Sequence, residues 1–309
     1  MNNGNNTMNS STTNNTTTNY ANEFIAATIT DFWITVASST VLLASFLTIV
    51  WKDTSQFTKR YIFTGFNVLY VSMIFSNLLS VLFQYLHYQN TDLTPIVVYN
   101  CLCYFFSSIF QFLLVMYTCN RGIPVIKAVV PIVEKYLIIF LVLFGLLLIS
   151  QYLFLVLSET TVHLVSDEQS LAIITNQNIA IDVLMGSFDF FVACIYFSYL
   201  YKNRNTGMNM KRLVILSRFG IASFIVLEFW LTSIVLGAQW SNEPEKQVSL
   251  LAFSVNLHIS DLGPIMYLFV QLVMKWELYR DDQSGKSENG YVCQTNLKET
   301  VKDAETKLN

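Results

Sequence analysis

The chain has 309 residues, of which 53% are hydrophobic and only 13% charged, against roughly 25% charged in soluble domains. With a net charge of -3 it carries no basic excess for nucleic acid, and five scattered cysteines (101, 103, 119, 194 and 293) form neither a disulfide framework nor a zinc pattern. A water-soluble enzyme scaffold is excluded as the default. What remains is a membrane protein, because the apolar residues come in repeated blocks of about 20 or more, each long enough to cross a hydrocarbon core of about 30 Å.

The chain opens on an Asn/Thr/Ser tract, residues 1–22, without a charged side chain and too polar to bury a core. Residues 1–23 are therefore expected to be a disordered tail. It holds four Asn-x-Ser/Thr acceptors, at Asn5, Asn9, Asn14 and Asn15, which are useful only if the tail reaches a glycosylating lumen; an Asn/Thr-rich tract also produces such triplets by chance. No basic segment and no cleavage site precede the first apolar run, which reads as an uncleaved signal-anchor.

Seven spans follow, at about 24–50, 61–86, 95–119, 136–157, 177–201, 213–237 and 248–274. The fourth is uninterrupted from Tyr136 to Leu157, whereas polar residues break up the third and fifth. Every lysine and arginine except Lys246 falls on one side of the resulting bundle: Lys52, Lys59 and Arg60 after the first span, Arg121, Lys127 and Lys135 after the third, Lys202 to Arg218 around the fifth-to-sixth connection, and the remainder after the seventh. The positive-inside rule then sets the N-terminus outside and the C-terminus in the cytoplasm. Trp51, Trp240 and Trp276 lie at expected interfaces. Residues 275–309 read as a juxtamembrane helix with a flexible polar tail. The fold class expected is an all-α, seven-transmembrane-helix bundle over 24–274.

Ionisable groups inside a bilayer cost roughly 2.5–3.5 kcal/mol on insertion scales, so each must face the interior, pair, or be neutral. Asp31, Asp182, Asp189, Glu228 and Asp261 are such groups, with His258 one turn before Asp261. Asp31, Asp182 and Glu228 are expected in the outer half and Asp189 and Asp261 near mid-depth, with no lysine or arginine deep enough to neutralise them. Asp182 and Asp189, seven apart, share a helix face, as do His258 and Asp261. Two readings stand: an outward-opening cavity for a cation or cationic ligand, or neutral, hydrogen-bonded helix–helix contacts.

On span seven, Gly263-Pro264-Ile265-Met266-Tyr267 resembles the Asn-Pro-x-x-Tyr motif of rhodopsin-like G-protein-coupled receptors, with glycine for asparagine. Trp230, 34 residues before Pro264, resembles the family's toggle tryptophan, though Thr232 stands where proline is expected. Ser76-Asn77-Leu78-Leu79 resembles the sodium-site segment with Asn77 for aspartate, and Asn120-Arg121-Gly122 resembles Asp-Arg-Tyr with only the arginine kept. The chain departs from the family in having no cysteine between spans four and five, no proline in span five and no tryptophan in span four.

The resemblance implies a multi-pass plasma-membrane receptor. Its partners would be the lipid bilayer, an extracellular ligand and a cytoplasmic heterotrimeric G protein, with no nucleic acid, metal or cofactor and no catalysis. Asp182, Asp189, Glu228, Trp230, His258 and Asp261 are the candidate ligand residues; Asn77, Arg121, Pro264 and Tyr267 are the candidate switch, with Arg121 facing the cytosol. A retinal protein needs a lysine in span seven, and Val248 to Met274 has none. His87, His163 and His258 are too scattered for a metal-dependent hydrolase. The rival that stays is a proton- or ion-coupled secondary transporter using the intramembrane acids.

Overall fold

A computed structural model describes the backbone of residues 9–54, 64–160, 167–203, 211–242 and 249–306. All regular structure among them is helical: α1 (Asn9–Thr54), α2 (Gly65–Gln89), α3 (Leu93–Val129), α4 (Val133–Thr160), α5 (Asp167–Asn203), α6 (Lys211–Asn242) and α7 (Leu250–Thr306). Each contains a stretch long and apolar enough to cross a bilayer, seven in all, which is the number the hydrophobic runs predict. The chain is a multi-pass membrane protein of seven-helix type.

Local signals start and stop the helices. The Thr64 hydroxyl caps α2 by accepting the Asn67 N–H at 3.3 Å, and the Ser249 hydroxyl does the same for α7 with Ala252 at 3.2 Å. Asn90 ends α2 by donating its side-chain amide to the Leu86 carbonyl at 2.7 Å. Pro131 sits in the short turn between α3 and α4, where a residue without an N–H is tolerated. Pro124 and Pro264 lie inside α3 and α7 without ending either helix, as membrane helices allow. The backbone stays helical through residues 275–306.

Successive helices pack side by side, α7 returns against α1, and α3 reaches inward to touch α5 as well as α2 and α4. The burial pattern is that of a bundle solvated by lipid. On α4, Phe144, Leu148, Gln151 and Leu155 point inward, while Ile139, Val142, Leu143, Leu146, Ile149 and Leu153 face out. Since lipid is as apolar as those side chains, burial as such does not hold the helices together; close packing and interhelical hydrogen bonds do. Hydroxyls on the outer surface are satisfied by their own helix: Thr30, Thr40, Thr48, Ser198 and Thr232 each donate to the carbonyl four residues back.

Span three is longer than the charged residues imply. Its apolar stretch runs on to Lys127, because Arg121, expected to mark the end of the span and to face the cytosol, is instead 2% exposed. One arginine with enough hydrogen-bond acceptors does not terminate a membrane helix.

Candidate signal-coupling site

Four fully buried tyrosines, Tyr70, Tyr117, Tyr196 and Tyr267, fill the half of the bundle nearer the lysine-rich end. Arg121 lies among them. Its Nη1 donates to the Ser223 hydroxyl on α6 and to Gln271 Oε1 on α7, both at 3.0 Å, and its Nε donates to the Tyr196 hydroxyl on α5 at 3.3 Å. Gln271 in turn donates to Ser223 at 2.6 Å, and Ser223 donates to the Phe219 carbonyl at 2.6 Å. The guanidinium of α3 thus joins α5, α6 and α7 through oxygens that are all neutral. Its rigid fork of five donors suits this work as a lysine ammonium would not. Beside it, the Thr118 and Tyr267 hydroxyls share a hydrogen bond of 3.2 Å, and the Tyr70 hydroxyl donates to the Leu268 carbonyl at 3.0 Å, drawing α2 onto α7.

Two glycines let these elements approach. A Cβ on Gly263 would lie 2.3 Å from Cδ1 and Cγ of Trp230, and one on Gly220 would lie 2.3 Å from Cε2 of Tyr196. Glycine therefore stands where the Asn-Pro-x-x-Tyr motif has asparagine because the Trp230 ring occupies that space. Trp230 is fixed by three contacts: the Gly263 backbone beneath it, its indole N–H donating to the Ser260 carbonyl at 2.8 Å, and Phe110 of α3 edge-on at 6.0 Å. Pro264 follows at once, so the α6 tryptophan rests on the turn of α7 where the proline removes a backbone hydrogen bond.

The intramembrane acids separate into two groups. At the end away from the lysines, His258 Nδ1 lies 2.7 and 2.9 Å from the two carboxylate oxygens of Asp31, and Asp261 hydrogen-bonds Asp31 from one turn further along α7. This links α1 to α7, with Tyr88 of α2 and Cys103 of α3 facing Asp261. The Cys103 carbonyl accepts from Ser80 at 3.1 Å. Asp182 and Asp189, 5% and 2% exposed, form the second group on α5. Glu228 of α6 packs so close over Gly186 that a Cβ there would meet its Oε1 at 2.8 Å. Asp189 faces both Glu228 and Arg121, whereas among the described residues no charged group faces Asp182. The expectation that no basic residue reaches the acids therefore fails at Asp189. No interaction among the described residues connects the His258–Asp261 group to the α5 acids.

Of the expected switch residues, Arg121 and Tyr267 come together, and Pro264 lies one turn from Tyr267. Asn77 is buried, and its side-chain Nδ2 has no hydrogen-bond partner. Tyr196, Ser223, Gln271 and Thr118 were not singled out in the sequence, although Tyr196 falls seven residues after Asp189 on the same α5 face and Gln271 one turn after Tyr267. At the lysine-rich end Lys275 donates to Asn67, its ammonium 5.0 and 5.6 Å from the Phe46 and Phe66 ring centres. The Asn5 acceptor lies outside the described residues, as do the side chains of Asn9, Asn14 and Asn15. Among the described residues no His, Cys, Asp and Glu side chains group as a metal site would require.

No model of a known protein family matches the chain, and no curated protein matches it in sequence. The fold is that of a membrane bundle of seven helices.

Proposed function

We propose that the chain is a plasma-membrane receptor that binds an extracellular cationic ligand among α3, α5, α6 and α7 and activates a cytoplasmic heterotrimeric G protein. The observation that carries this reading is the Arg121 junction. One side chain, close to the lysine-rich end, is bonded to three other helices through neutral groups that each supply only part of its hydrogen-bonding. Such an arrangement has two states, because displacing α6 removes Ser223 and frees the arginine. Trp230 and Gly263 extend the same α6–α7 contact toward the opposite end, where a ligand would bias it. The positive-inside asymmetry supports placing the Arg121 end in the cytoplasm, and the acids at the other end support a cationic ligand. The chain carries out no catalytic step in this reading.

The test is an agonist screen in cells expressing the chain, with G-protein dissociation as readout. A ligand that dissociates the G protein in these cells and not in untransfected ones supports the receptor. The buried acids on α5 favour one second reading, an ion-coupled carrier. Solute or proton flux in proteoliposomes that contain no G protein would establish the carrier and displace the receptor.

A further inference from the structure

Asp189 is the most anomalous side chain in the bundle. It is 2% exposed, and neither carboxyl oxygen has a hydrogen-bond partner. The Thr118 hydroxyl, which shares a 3.2 Å hydrogen bond with Tyr267, is the neutral donor that faces the carboxyl. The groups that face it are Arg121 of α3, Glu228 of α6, Tyr267 of α7 and Tyr196 of its own helix. From α4 the packing against this stretch is apolar, with Phe140 stacked on Phe188 at 4.6 Å. Arg121 is permanently charged, yet it turns all its bonded donors to neutral oxygens and leaves Nη2 with no partner.

An ionised, unpartnered carboxylate beside an arginine with a free donor is an unstable arrangement in a buried site of low polarity. The two would move together, since pairing satisfies both charges at once. Arg121 remains in its cage of Tyr196, Ser223 and Gln271, which is the expected arrangement when the carboxyl is neutral.

We propose that Asp189 is an interior proton-binding site whose occupancy selects the partner of Arg121. With the proton on Asp189, Arg121 bonds to Tyr196, Ser223 and Gln271 and holds α5, α6 and α7 together. When the proton leaves the carboxyl oxygen for the Glu228 carboxylate facing it, and from there reaches water, Arg121 gives up Ser223 and Gln271 and forms an ion pair with Asp189. One proton is released per transition and no electron moves. The α6–α7 contact then depends on proton occupancy whether the chain is a receptor or a carrier, so this inference does not rest on the proposed function.

The experiment is infrared spectroscopy of the purified full chain in lipid nanodiscs at one fixed pH, reading the C=O stretch of protonated carboxyls. Wild type is expected to show a band that moves in D2O, moves on labelling with 13C-aspartate, and is absent in Asp189→Asn. Breaking the cage with Ser223→Ala and Gln271→Leu frees Arg121 to pair with Asp189, and the band is lost at the same pH. Adding Arg121→Gln to that double variant removes the competing cation and restores the band. Survival of the band in Asp189→Asn, its survival after the cage is broken, or its failure to return without Arg121 would each overturn the proposal. Labelled wild type supplies a reading that depends on no variant: a band insensitive to 13C-aspartate means that the proton is not on an aspartate.

Discussion

Gly263 shows how one atom decides a membrane interface. Its missing Cβ is filled by Trp230, 6% exposed, and the ring has no flexible end to move aside. Gly263→Ala is therefore expected to destabilise the bundle by about 1–3 kcal/mol, the usual cost of overpacking, seen as a lower melting temperature of the purified protein. Gly65→Ala is the control, since nothing lies within 4 Å of a Cβ there, and its melting temperature should not fall. Combining Gly263→Ala with Trp230→Ala should cost less than the sum of the two, because the clash disappears with the ring. Additive losses would show that the contact does not limit stability. The sequence contained Gly263, Pro264 and Trp230 at suggestive spacing, but the reason for glycine could not be read from it. That reason depends on the distance between two helices, and spacing along one chain does not supply it.

At the scale of the helices, the count and order of the spans were legible because the hydrocarbon core imposes length and polarity on every crossing segment. The end of span three was misread because a charge was taken as a boundary. Arg121 remains inside because α5, α6 and α7 supply acceptors from distant positions in the chain, and no local signal in the third span announces them. The interhelical neighbours of the candidate ligand residues were not legible for a related reason. Helical spacing pairs His258 with Asp261 and Asp182 with Asp189, but it cannot show that the first pair turns to Asp31 of α1 while Asp189 of the second turns to Arg121.

Two consequences follow for these elements. In the proposed receptor, Asp182→Asn and Glu228→Gln should each weaken a cationic agonist by roughly 1.5–3 kcal/mol, the range for charge-assisted contacts, with surface expression near that of wild type. His258→Asn, which loosens α1 from α7, tests the other group: a comparable loss of binding would move the pocket to the α1–α7 side. Equal loss of expression and binding at all three positions would mark these groups as structural. At the lysine-rich end, Tyr267→Phe removes one shared hydroxyl contact and Arg121→Ala removes the junction. Both are expected to leave agonist affinity in the uncoupled receptor within about threefold, under 1 kcal/mol, while sharply reducing G-protein activation. Unchanged activation in both, at matched expression, would mean that the junction carries no signal.

For the whole molecule, the informative quantity is the asymmetry of charge between the two ends of the bundle. Lys52 lies over the Trp276 ring at 5.9 Å, Lys127 pairs with Glu134 at 2.9 Å, and Lys275 is lodged between α1 and α2, all at the same end. The opposite end is held by His258, Asp31 and the contact of Asn100 with Glu159 at 2.9 Å, and Lys246 is the one basic residue of the sequence assigned to that side. Positively charged loops are retained on the cytoplasmic side during insertion, so this distribution supports the orientation proposed for the receptor, with the lysine-rich end in the cytoplasm. An epitope at the N-terminus should be labelled on intact cells, and one at the C-terminus only after permeabilisation. Glycosidase should increase the mobility of the wild-type band and leave a variant with Asn5, Asn9, Asn14 and Asn15 all changed to Gln unaltered. Staining in the opposite sense would place Arg121 and its cage at the outer surface, out of reach of a cytoplasmic G protein, and the receptor would fail with it. The correct staining without any glycosidase shift would preserve the orientation and reduce the four acceptors to a by-product of an Asn- and Thr-rich tail.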